Sequence, residues 1–187
     1  MNKYILCALG LFVSAGCSQD ELTVPSSIAP SSTAGTQAAA PAVPQNYRAH
    51  LTGRDAVPAI DTLAQGEAIF QLSRDGTELS VKVIASNIEN VTGAHIHIGP
   101  VGARGPLAIL LMNPLPSGRG RTDGVLAVGT ITAADFFGPL LNQPLSALIA
   151  AIEAGNVYVD IPTNDGIAPP NTGPGDIPGG ELRGQVR

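Results

Sequence analysis

From Tyr47 onward, apolar residues recur at every second position. Tyr47, Ala49 and Leu51 alternate with Arg48, His50 and Thr52, and Ala68, Phe70 and Leu72 alternate with Glu67, Ile69 and Gln71. Leu79, Val81, Val83 and Ala85 resume the pattern after Ser73-Arg-Asp-Gly76. A period of two places successive side chains on opposite faces of a strand, so these runs predict strands with one buried face. The Asp75-Gly76 step predicts a hairpin turn, since glycine takes a positive φ without a Cβ clash. Ala94, Ile96 and Ile98 make a further strand, and Leu107-Ala-Ile-Leu-Leu111 reads as a strand apolar on both faces. Residues 124–130, 156–161 and 181–187 complete a set of about eight.

One stretch keeps a helical period instead. Leu145, Leu148, Ile149 and Ile152 fall on one helical face, Pro144 suits the first helical position, and Gly155 fits the residue just past the end. Thr132-Ala-Ala-Asp135 has the form of a capping box and predicts a single turn stopped by Gly138-Pro139. Many short strands with one inserted helix predict an all-β domain, an antiparallel Greek-key β-sandwich.

Upstream of the strands the pattern disappears. Lys3 precedes an apolar run from Tyr4 to Val13, too short to span a bilayer and of the length expected for a secretory leader. Val13-Ser-Ala-Gly-Cys17 resembles the lipobox of bacterial lipoproteins, with Ser14 where Leu is commonest. That resemblance implies a signal peptide over residues 1–16, cleavage before Cys17 and a lipid on its thiol. Ser18 then resembles the outer-membrane sorting pattern of a Gram-negative host. Residues 17–45, rich in Ser, Ala, Thr and Pro, read as the lipidated cysteine and a disordered tether, and residues 46–187 as the folded domain. The expected address is the bacterial cell envelope, with the membrane as partner through the lipid anchor. Cys7 and Cys17 are the only cysteines, and Cys7 leaves with the leader, so no disulfide is expected in the exported domain.

Composition sharpens this reading. The 187 residues contain 22 Gly and 16 Pro but only 13 % charged residues, which favours strands and tight turns over a helical bundle. The formal net charge of −5 argues against nucleic acid as a partner, since the sequence shows no cationic stripe to neutralise phosphates.

Several segments resemble the CHRD domain, the repeat first described in chordin and found in bacterial surface proteins. Leu51-Thr-Gly53 and Val57-Pro58 are similar to its opening, with Ala56 where the family has Glu. Gly93-Ala-His-Ile-His-Ile-Gly-Pro-Val-Gly102, Gly105-Pro106, Gly155-Asn-Val-Tyr-Val159 and Gly179-Gly-Glu-Leu-Arg-Gly-Gln185 follow in the family's order. The family usually reads Tyr-Val-Asn-x-His-Thr after the helix, whereas this chain has Tyr158-Val-Asp-Ile-Pro-Thr163, with Pro162 in place of the histidine. The resemblance implies a β-sandwich module in secreted or tethered proteins, with an interaction role on a protein or extracellular ligand by analogy.

Candidate chemistry centres on His95 and His97, which project from one strand face about 7 Å apart along the chain. Neutral imidazoles at this spacing can share copper or zinc, and the His-x-His strand is similar to one ligand pair of copper/zinc superoxide dismutases. A metal site needs three or four ligands; His50, Asp160, Glu181 and Tyr158 are the candidates from elsewhere in the chain. The competing reading has both imidazoles hydrogen-bonding across the sheet and fixing the Gly99-Pro100 turn. Glu181, Arg183 and Gln185 share a strand face, a pattern more often structural than ligand-binding. Asn164, Asp165 and Asp176 carry oxygens calcium would accept, but their spacing matches no known cage. No nucleophile elbow, phosphate loop or Cys-His pair is present, so no catalytic residue is assigned. The expected function is a non-enzymatic interaction module that needs no cofactor. The alternative is a copper- or zinc-binding domain with a superoxide-dismutase-like redox role at His95 and His97.

Overall fold

The computed structural model describes residues 45–169 and 171–187. The expected signal peptide, Cys17 and the expected tether up to residue 44 lie outside the described residues. Eight strands form the domain: β1 (Asn46–Thr52), β2 (Gln65–Leu72), β3 (Leu79–Glu89), β4 (His95–Ile98), β5 (Leu107–Leu110), β6 (Arg121–Ile131), β7 (Val157–Ile161) and β8 (Leu182–Gln185). Each corresponds to a period-two or apolar run in the sequence. They join in one sheet of order β5-β4-β7-β8-β1-β2-β3-β6, with every neighbouring pair antiparallel. The sheet curls so that one apolar cluster contains residues of all eight strands and the helix. The two layers of the expected sandwich are therefore two parts of a continuous sheet.

Burial follows the alternation. Ala49 and Leu51 of β1, Ala68 and Phe70 of β2, and Leu79 and Val83 of β3 are almost fully buried, with their sequence neighbours facing outward. The β2–β3 hairpin turns at Gly76, whose φ is +70°, and the Asp75 carboxylate accepts hydrogen bonds from Ser73 and Thr77. β5 corrects one expectation. Ala108 and Ile109 are buried but Leu110 is 45 % exposed, because β5 is an edge strand with a single partner.

The helix α1 (Leu145–Glu153) buries Leu145, Leu148 and Ile152, which lie three and four residues apart on one face. Pro144 is the N-cap rather than the first helical residue, held extended at ψ 161°, and Gly155 follows the C-cap at φ +71°. The Thr132–Asp135 capping box forms as expected and opens a 3₁₀ turn. Gly138-Pro139 does not end the turn region, because Gly138–Leu140 makes a second 3₁₀ turn.

Candidate functional site

Strand register assembles the site. β4 and β7 pair so that His95 faces Asp160 and His97 faces Tyr158. β7 and β8 then set Asp160 opposite Arg183 and Tyr158 opposite Gln185. Directly opposed residues in an antiparallel pair share a sheet face. Val157, Val159 and Ile161 of β7 go to the core, while Tyr158 and Asp160 point to the other face and are buried there as well.

His95 Nδ1 lies 3.3 Å from Asp160 Oδ1, and His97 Nε2 lies 3.3 Å from Asp160 Oδ2. Ligand atoms of all three residues fall within 4.8 Å of one another. Asp160 is 7 % exposed, and the two imidazoles are partly buried. Asp160 Oδ1 and His97 Nε2 are buried without a well-formed hydrogen bond. The tautomer of His97 follows from its other nitrogen. Nδ1 is 3.0 Å from the Gly105 carbonyl, which can only accept, so Nδ1 carries a proton. A neutral His97 therefore turns the Nε2 lone pair toward a carboxylate oxygen, acceptor against acceptor. That arrangement is stable only with a proton or a cation between them.

The surroundings hold this geometry. The His97 ring stacks on Tyr158 with centroids 5.0 Å apart and planes 7° from parallel. The Arg183 guanidinium carbon lies 3.8 Å from the centroid of the same tyrosine ring, a cation–π contact. The Gly105 amide donates to Tyr158 Oη at 3.0 Å. Gly105 can sit there because it lacks a side chain; a Cβ would come within 1.8 Å of the Ile98 carbonyl oxygen. Gly180 has φ +102°, and its Cβ would stand 3.0 Å from Asp160 Oδ2. The conspicuous glycines of the two signature segments thus pack against the histidine–aspartate group. A cavity of about 90 Å³ opens beside His97, Tyr158, Asp160, Gly180, Arg104 and Arg183.

Charge is balanced within this group. Burial pushes the Asp160 pKa up, but its contacts with His95 and His97 outweigh that and hold it below the usual carboxylate value. Burial alone would lower His97; Asp160 outweighs it, helped by the Gly105 carbonyl, and raises the imidazole above its ordinary value. The carboxylate and the protonated ring stabilise each other.

The other candidates go elsewhere. His50 is exposed on β1, with Nδ1 2.8 Å from Glu67 Oε1, and is not part of the cluster. Tyr158 stacks on His97, and its Oη accepts from the Gly105 amide. Glu181 is 1 % exposed and accepts from Thr62 Oγ1, Thr163 Oγ1 and the Gly175 amide. It anchors the 163–180 loop, and Glu181, Arg183 and Gln185 do not act as one row. Asn164 and Asp165 accept from the amides of Gly166 and Ile167, and Asp176 accepts from Thr172, so these oxygens cap turns. Pro162 is buried, and its carbonyl accepts from Thr92. The roles of the Gly105 carbonyl and of the Tyr158–Arg183 stack had no linear signal beyond the alternation of Tyr158 and Asp160 with valines.

The model of the family described as CHRD domain matches residues 47–186, nearly all of the described domain. No curated protein and no solved structure matches the chain.

Proposed function

The chain belongs to the CHRD domain family, and from that premise we propose that it is a non-enzymatic binding module displayed at the bacterial cell envelope through a lipid on Cys17. The observation that carries the reading is the extent of the match, a single module from residue 47 to 186, downstream of an apolar run followed by Ala15-Gly16-Cys17. The best-organised ionisable group supports it. Among the described residues, His95 and His97 contact a carboxylate and a backbone carbonyl, and neither meets a hydroxyl or thiol nucleophile. Intact-mass measurement of protein from host membranes tests the anchor. The expected species starts at a diacylglycerol-modified Cys17, and an unmodified chain starting elsewhere refutes it.

A second reading is favoured by the convergence of His95, His97 and Asp160: the module binds zinc or copper there. Two ligand atoms on one tetrahedral zinc stand about 3.4 Å apart, close to the 3.3 Å of both histidine–aspartate contacts. His97 Nδ1 donates to a backbone carbonyl, the outer hydrogen bond by which ligating histidines are oriented. Two nitrogens and a carboxylate suit zinc or copper(II), which would supply Lewis acidity or a redox couple beside the small cavity. Asp160 takes the place of a third ligand that Pro162 cannot provide. Elemental analysis and calorimetric titration with zinc and copper decide between the readings. One equivalent bound by the full chain, lost in His97→Ala and Asp160→Ala and retained in His50→Ala, is expected for a metal site. Metal-free protein that takes up neither ion refutes it and leaves the first reading in place.

A further inference from the structure

The polar face continues beyond the histidines. Arg183 and Gln185 of β8 and Arg187 just beyond it alternate toward one side, and β8 is joined to β1 with Thr52 opposite Arg183. At the other end of this pair Arg48 and Arg187 exchange two backbone hydrogen bonds, of 2.7 and 2.9 Å. The same register sets His50 opposite Gln185. Arg48 and Arg187 are thus a directly opposed pair of like charges, an arrangement that costs stability unless something negative lies between them.

These residues line one cleft of about 540 Å³ together with Arg54, a hydrophobic wall at Val57 and Val101, and one acidic residue, Asp55. The chain has ten Lys and Arg against fifteen Asp and Glu. At that density eleven lining positions would hold fewer than one cation, yet this cleft holds Arg48, Arg54, Arg183 and Arg187. Among the described residues none of the four is in an ion pair. Of the nearby acids, the Asp55 carboxylate accepts from Thr52 Oγ1 at 2.9 Å and acts on Arg183 only through space, outside ion-pair distance, and Glu67 is held by His50. Arg183 is 4 % exposed, with Nη2 donating to the Pro100 carbonyl and Nη1 buried without a partner. Guanidinium groups outside any ion pair, backed by an apolar wall, are thus concentrated here in an otherwise acidic chain.

We propose that this cleft binds a ligand carrying two or more oxyanion groups, whether carboxylate, sulfate or phosphate. Arginine forks present paired N–H donors that match the oxygen spacing of all three groups. A ligand spanning Arg48 and Arg187 would relieve their repulsion, so binding and domain stability are linked. Arg183 lines both this cleft and the cavity beside Asp160, so an occupant would lie next to the histidine group. This names a ligand class for the binding-module reading and rests on that reading.

The test uses the full chain with pyrophosphate, citrate and a sulfated hexasaccharide as probes, by calorimetry and thermal melting. At least one probe is expected to bind and raise the melting temperature, with affinity falling as salt rises. Arg48→Gln/Arg54→Gln/Arg187→Gln, all at exposed positions, is expected to weaken it at least ~10-fold, the loss of about one charged contact. Arg74→Gln/Arg119→Gln/Arg121→Gln, which removes equal charge elsewhere, should leave binding unchanged. The proposal is overturned if no probe binds, if both triple variants bind equally, or if only vesicles containing anionic lipid are bound. A chain that binds no oxyanion but is still retained by envelope preparations, independently of the arginines, would defeat this proposal while sparing the module reading. Failure of both would defeat both.

Discussion

Replacing Glu181 should cost more stability than any exposed charge in the domain. Its carboxylate is 1 % exposed and receives Thr62 Oγ1 at 2.7 Å, Thr163 Oγ1 at 2.9 Å and the Gly175 amide at 2.7 Å. Thr163 Oγ1 in turn accepts from the Ile177 amide, so the network ties both ends of the 163–180 loop to the start of β8. Glu181→Ala would leave three donors facing a void. At about 1–3 kcal/mol for each unsatisfied donor, with some relieved by rearrangement, the expected loss is about 3–6 kcal/mol. That is a large share of the roughly 5–15 kcal/mol that stabilises a domain. Glu181→Gln behaves differently. Its carbonyl can keep Thr163 and Gly175, and its amide can donate to Thr62 Oγ1, whose hydroxyl rotates, so a loss of about 1 kcal/mol is expected. Urea denaturation of the full chain with each variant gives the two numbers, and amide exchange across residues 163–180 shows whether the loop is the part released. A Glu181→Ala loss below about 1 kcal/mol, or Ala and Gln variants equally damaged, would refute the reasoning.

Three further outcomes are expected. His97 holds its proton above the ordinary value of 6.5 when folded, so the folded state binds more protons than the unfolded one. Stability in chelator is therefore full below about 6.5 and falls as pH rises through the folded value, by at most about 1.4 kcal/mol per pH unit. Asp160→Asn should flatten that slope in pH-dependent denaturation, and an unchanged slope would sink the assignment. Leu148→Ala in α1 removes a side chain with no exposed surface; a loss of about 2–5 kcal/mol is expected by denaturant titration, and one under 1 kcal/mol would contradict the packing. Gly105→Ala forces a Cβ against the Ile98 carbonyl, so the 98–105 turn must shift and carry the Gly105 carbonyl away from His97 Nδ1. The His97 ring protons should move in NMR spectra more than those of His50, and equal shifts would count against the coupling.

Local pattern decided the elements of this domain. Alternation from Tyr47 to Ala85 reports which side of each strand is buried, because successive side chains point to opposite faces whatever the partner strand is. The spacing of Leu145, Leu148 and Ile152 reports the helix for the analogous reason, and the signature segments around His95-Ile-His97 and Gly179-Gly180 report the family. Partners and context were decided by the tertiary structure. Nothing in the local sequence states that β7 lies between β4 and β8, and that neighbour relation alone makes Asp160, rather than His50 or Glu181, the residue between the two histidines. Likewise Leu110 reads as core by composition, but β5 is an edge, so the same side chain meets solvent. Glu181 sits in phase with Arg183 and Gln185 along the chain, yet the loop folded over it supplies three donors and gives it a structural role. Arg48 and Arg187 are 139 positions apart in sequence and meet only because β1 and β8 are paired. Side-chain direction is a short-range property that a linear pattern carries; strand adjacency and register are long-range, and they settle which charges share a face.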